Sequence, residues 1–192
     1  MNALDHTGEY YLTGVMETGC GLKLNADLTF DFFYSYGALD RHGYGTWQKN
    51  KQNEIELNTN YQDLLPFTIS LEEKRENAGI KICIPNYNQI LQKNTKIEII
   101  NNQISEEQVA DKSGTFKFST ASVEKMIITC LFYFDNPAIL IPVNTSSNYF
   151  ELTPNHNLPL VHFNNSKFRV EENELIGNLH LLDDFKEYKF VK

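Results

Sequence analysis

The stretch TFDFFYSYGALDRHGYGTW, residues 29–47, holds most of the side chains that could recognise a ligand. Alternation along it places Phe30, Phe32, Tyr34 and Tyr36 on one face and Asp31, Phe33 and Ser35 on the other. If the first face looks inward, Phe30 and Phe32 make the floor of a core, and the hydroxyls of Tyr34 and Tyr36 need partners towards an open end. Gly37 to Gly43 then reads as a tip, with Tyr44 and Trp47 on the returning strand. There Asp40 could orient His42, and Arg41 could hold a carboxylate or a phosphate. The candidate ligand-binding set is therefore Tyr34, Tyr36, Asp40, Arg41, His42 and Tyr44. A packed hairpin with a wet rim explains the same residues, with Asp40 only capping the turn.

Catalytic signatures are missing. There is no G-x-S-x-G elbow, and Gly19-Cys20-Gly21 leads into a strand where a dinucleotide fingerprint needs a helix. His156 and His162 flank Pro159, His180 stands apart, and no histidine spacing suits a metal. No catalytic residue, metal or cofactor is assigned. The pairs Glu106-Glu107, Glu171-Glu172 and Asp183-Asp184 read as solvated loops. Cys20, Cys83 and Cys130 are far apart; Cys83 and Cys130 sit in apolar runs where a thiol behaves as a small buried hydrophobe.

The elements that must position these residues are strands. Over 192 residues that are 41% hydrophobic, β-branched and aromatic residues alternate with polar ones between Asn, Gly and Asp turns, the pattern of short antiparallel strands. Fifteen are expected, including 28–36, 43–48, 125–134 and 148–152. Single helical turns are expected only at 62–65 and 119–125. With 25 acidic against 17 basic residues the net charge is −8, and no local basic strip overrides it, so a nucleic-acid backbone would be repelled and no nucleic-acid partner is expected. No apolar run reaches the roughly 18 residues of a membrane span, so no membrane insertion is expected. The opening residues lack a signal-peptide pattern, so a cytoplasmic location is expected, or a periplasmic or surface one if a leader was removed.

The order Leu22-Lys23-Leu24-Asn25-Ala26-Asp27-Leu28-Thr29-Phe30, then Gly45-Thr46-Trp47, then Ile55-Glu56-Leu57, resembles small bacterial lipocalin-like barrels of the copper-resistance and envelope-stress lipoprotein type. Phe168 to Ile176 and Tyr188-Lys189-Phe190 look like the closing strands of the same barrel. Leu28 stands where that family has a hairpin glycine, so a different turn is expected. The family's paired cysteines are reduced to Cys20, which removes the basis for copper binding. Between the halves, Ile80 to Ile84, Thr95 to Ile99 and Asp111 to Phe116 resemble a transthyretin-like module. The fold expected is all-β: a discontinuous barrel over residues 1–65 and 146–192, with the likeness itself carried by 8–59 and 146–191, and an inserted β-sandwich over 66–145.

Two functions suit this reading. One is a non-catalytic binder of a small molecule at the barrel mouth. The other is an acidic interaction module, of inhibitor or immunity type, that covers a basic protein and offers exposed sandwich edges to a partner strand.

Overall fold

The computed structural model describes residues 6–59, 65–76, 79–85, 87–102, 104–183 and 185–192. The chain forms two compact units, residues 1–62 with 160–192, and residues 63–159. The first meander contains β1 (Gly8–Thr13), β2 (Thr18–Leu24), β3 (Thr29–Tyr36), β4 (Leu39–Lys49) and β5 (Glu54–Asn58). The second unit contains β6 (Phe67–Glu73), β7 (Ile80–Cys83), α1 (Gln89–Lys93), β8 (Thr95–Asn101), β9 (Ile104–Val109), β10 (Thr115–Phe118), β11 (Lys125–Cys130), β12 (Ala138–Leu140) and β13 (Tyr149–Pro154). The chain ends with β14 (Ser166–Glu171), β15 (Glu174–Asn178) and β16 (Glu187–Val191).

Both chain ends close one antiparallel barrel, in the order β1-β16-β15-β14-β5-β4-β3-β2. Two seams join them: Leu12 faces Phe190 across β1 and β16, and Ile55 faces Phe168 across β5 and β14. Period-two alternation turns Leu22, Leu24, Phe30, Phe32, Trp47, Ile55, Leu57, Phe168 and Phe190 into the interior, where all are buried.

Trp47 and Gly45 explain the G-x-W signature. The Trp47 indole N–H donates to the Asn25 carbonyl at 3.0 Å, and its backbone N–H donates to the Leu28 carbonyl at 2.8 Å, so the buried ring fastens the β2–β3 turn. At Gly45 a Cβ would lie 2.1 Å from the Asn58 carbonyl oxygen, so the close approach of β5 demands glycine. The turn itself keeps the glycine geometry that Leu28 was expected to abolish. Leu28 has φ of 66°, and the bonds Leu28 N–H to Asn25 O and Asn25 N–H to Thr29 O repeat those of the Asp111–Gly114 turn, where Gly114 has φ of 76°. Asp27, accepting from the N–H and hydroxyl of Thr29, and Trp47 hold the turn strongly enough to carry a leucine in left-handed space.

The second unit is a sandwich of two sheets, β10-β7-β13-β6 and β12-β11-β8-β9. Ile82, Phe116 and Phe150 from the first sheet and Ile97, Ile99, Met126 and Ile128 from the second share one core. Residues 146–159, expected in the barrel, belong here: β13 pairs with β6 and, in parallel, with β7. Phe150 and Leu152 would fill either core, and only the long-range pairing decides between them. The pair Glu106-Glu107 lies in β9, an edge strand whose polar residues disguise it as a loop. A five-residue helix occupies 89–93, capped by Asn88, whose side chain accepts from the N–H of Ile90. Residues 119–124 form no helix, and the strand expected to reach 134 ends at Cys130 in a 3₁₀ turn. The turn expected at 62–65 lies largely outside the described residues.

A glutamate bridges each side of the sandwich. Glu72 on β6 accepts from the N–H groups of Val143 (3.0 Å) and Asn144 (2.6 Å), beyond β12. Glu106 on β9 accepts from the N–H of Ser119 (3.0 Å), the Ser119 hydroxyl (2.9 Å) and the N–H of Thr120 (3.3 Å), beyond β10. Partial burial by itself would raise the Glu106 pKa, but the donors from Ser119, Gln108 and Thr120 hold it below the usual carboxylate value.

Two outcomes are expected. Leu28→Gly relieves the left-handed strain at a half-exposed site and raises stability by about 1 kcal/mol, measured as a shift of the urea midpoint. Because the folded Glu106 pKa is depressed, its bonds contribute fully above the unfolded value of about 4.3 and are lost as pH falls through the folded value. The amide shifts of Ser119 and Thr120, followed by NMR, titrate with a midpoint below that of a free glutamate, and Glu106→Gln abolishes the titration.

Candidate functional site

The six candidate residues do not converge. Only Gly37 and Ala38 separate β3 from β4, so Asp40 to Gly43 stand in a strand and not on a tip. A strand sends neighbours to opposite faces, which splits the expected trio. Arg41 points inward with Gly43 and Trp47, whereas Asp40, His42 and Tyr44 point out. Tyr34, directly across from Arg41, is buried, and its pKa is raised chiefly by that burial. Tyr36 is half exposed at the strand end. Asp40 accepts from the Ser35 hydroxyl at 2.6 Å, and His42 stacks on Tyr44 with ring centroids 6.5 Å apart, so Asp40 does not orient His42.

A return segment lies alongside β4. Past the β4–β5 pairing, residues 160–163 take the free side of β4: Leu160 bridges His42 in parallel, and the Val161 N–H donates to the His42 carbonyl at 2.7 Å. Thr59 ties the other side, its N–H donating to the Phe163 carbonyl (2.8 Å) and its hydroxyl accepting from the Phe163 N–H (3.1 Å). Phe163 then packs edge-on against Phe30 and Phe32, at 5.3 and 5.0 Å between centroids. Gly43 makes room for it, since a Cβ there would lie 3.0 Å from the ring. The Arg41 guanidinium, buried, donates to the Leu160 carbonyl at 2.9 Å. Its charge holds the strap against the barrel wall.

An exposed apolar surface lies on the sandwich, where sequence reasoning placed no residue. A groove of about 670 Å³ runs between the edge strands β6 and β12, lined by Leu65, Ile69, Leu71, Ile139, Ile141 and Val143 among others. Ile139, Ile141 and Val143 are 51%, 72% and 96% exposed. The signal for it was the run Ala138-Ile139-Leu140-Ile141-Pro142-Val143, too apolar for a strand with one wet face. Among the described residues no three His, Cys, Asp or Glu side chains are grouped to hold a metal ion, and no helix is long and apolar enough to cross a membrane. Cys20 is buried in the barrel core, which pushes its pKa up to about 12 and keeps it from acting as a thiolate near neutral pH.

Comparison with known protein families, with curated proteins and with solved structures returns no match. The function is therefore read from this chain's own geometry.

Arg41 and His42 separate a structural from a recognition role. Arg41→Met removes a charged hydrogen bond to the buried strap and costs about 2–4 kcal/mol in chemical denaturation, whereas His42→Ala stays within about 0.5 kcal/mol of the parent.

Proposed function

We propose that this chain is a non-catalytic interaction module that takes up an extended segment of a partner protein in the groove between β6 and β12. The observation that carries this is the contiguous row of exposed aliphatic side chains lying between two sheet edges. An apolar patch of this kind is kept from water in a working protein by a partner. An edge strand beside it supplies the main-chain groups for β-augmentation, and the groove supplies sockets for alternate side chains. Covering each aliphatic side chain fully contributes about 1.5–3 kcal/mol, from which the ordering of the partner segment is subtracted.

The occupant is a strand of about seven residues, matching the seven of β6, with apolar residues at alternate positions. The charge of −8 favours basic flanks, through faster encounter more than through tighter final contacts. The likeness of the discontinuous unit to lipocalin-like barrels, and of the sandwich to transthyretin-like modules, belongs to the same proposal. In it the sandwich is the working surface for the partner segment.

A display library of extended heptapeptides, selected on the full chain, tests the proposal. The expected binders alternate apolar with polar or basic residues. Val143→Asp and Ile141→Asp each weaken them at least tenfold without moving the thermal midpoint by more than a degree or two. Binders without alternation, or binding indifferent to both substitutions, overturn it.

A further inference from the structure

The outward face of β1–β4 carries an ordered array unconnected with the groove. Cross-strand register aligns Tyr11, Gly21, Phe33 and His42 in one row, and Glu9, Lys23, Asp31 and Tyr44 in the next. Tyr11, Phe33 and Tyr44 are 48%, 46% and 42% exposed. Large aromatic residues half in water on the outer wall of a filled barrel contribute nothing to its core.

Gly21 shapes the array. With no side chain in the middle of the first row, it lets the Phe33 ring fold flat over the strand: a Cβ at Gly21 would lie 2.4 Å from that ring. Tyr11 stands on the far side, its ring centroid 6.4 Å from that of Phe33 and the planes tilted by 60°. Between and beside them is a cleft of about 220 Å³, bordered by Glu9, Lys23 and Asp31. These rim groups are held in place. Glu9 accepts from the Tyr11 hydroxyl at 2.8 Å and pairs with Lys23 at 3.3 Å, and Asp31 accepts from the Asn25 side chain at 3.0 Å. On β4, His42 and Tyr44 present parallel rings, 10° apart.

We infer that this face binds a neutral carbohydrate chain, with one sugar ring stacked on the exposed Tyr11 and Phe33 rings over the cleft beside them. The chemistry selects that class. Aromatic faces stack on the C–H side of a pyranose, and an alternating border of carboxylates and an ammonium offers acceptors and a donor to ring hydroxyls. A phosphate-bearing ligand meets two carboxylates against one lysine, and a purely apolar ligand would leave the charged border facing hydrocarbon. The volume is below the roughly 300–1,000 Å³ of pockets that enclose drug-sized ligands, so a single ring is placed over it. The row from Tyr11 to His42 covers three strand spacings, about 14 Å, room for a short linear chain laid across the strands.

The test uses the full chain and neutral, unbranched oligosaccharides of two to six hexoses, with glucan, mannan and galactan backbones. Binding is read by NMR amide shifts and by retardation in native gels cast with the matching polysaccharides. Expected are shifts confined to β1–β4 for at least one backbone, with Tyr11→Ala and Asp31→Asn each weakening binding about tenfold. Phe33→Ala has the same effect where it folds, and Tyr11→Ala decides the matter where it does not. Val143→Asp leaves the saccharide shifts intact, so failure of the groove proposal and failure of this one are distinguishable. No shift with any backbone at millimolar concentration, or binding unaltered by both Tyr11→Ala and Asp31→Asn, overturns the inference.

Discussion

Closure of the barrel rests on two seams between strands far apart in sequence. A five-stranded meander has two unpaired edges, and the energetic penalty for leaving them open is aggregation. Here β14 covers the edge of β5 and β16 covers the edge of β1, so the last strands of the chain complete what the first five begin. Because side chains alternate, a one-residue slip at either seam would turn Phe168 or Phe190 out to water. Both are fully buried and meet edge-on at 5.7 Å, which specifies the register from inside.

The strap at residues 160–163 follows from that closure. A barrel of eight strands is just wide enough for side chains to fill it or to hold one small ligand. In this chain Phe163 joins the barrel core against Phe30 and Phe32, and Thr59, His42 and Arg41 fasten the backbone that carries it. The sandwich handles its edges otherwise: Glu72 and Glu106 bridge its two sides through backbone N–H groups, yet β6 keeps an apolar groove beside it. Val143 and Ile141 stand largely exposed beside that groove.

Legibility differed by element for physical reasons. The hairpin of Phe30, Phe32 and Tyr34 was readable because half-buried strands advertise themselves by alternation. β9 was not, since the sequence ISEEQV at an edge buries too little to show a period. Leu28 misled because propensity opposes a left-handed leucine, and the Trp47 and Asp27 bonds that override it are non-local or side-chain contacts. Of the candidate site, Asp40, Arg41 and His42 follow one another in the chain. Their division between two faces was hidden by reading them as a loop, where alternation does not apply. Tyr11 and Phe33 carried no signal of their own, because their meeting depends on a glycine in the strand between them.

By itself the sequence determined that the protein is all-β, that its two ends share one barrel and that a β-rich segment interrupts it, because alternation and turn residues act over a few neighbours. Tertiary structure alone decided that β13 joins the sandwich, that Phe163 joins the barrel core, and that Tyr11, Phe33 and His42 form a row. Each of these depends on which strands pair and in what register, and pairing is settled by burial summed over residues well beyond the few neighbours that local patterns report.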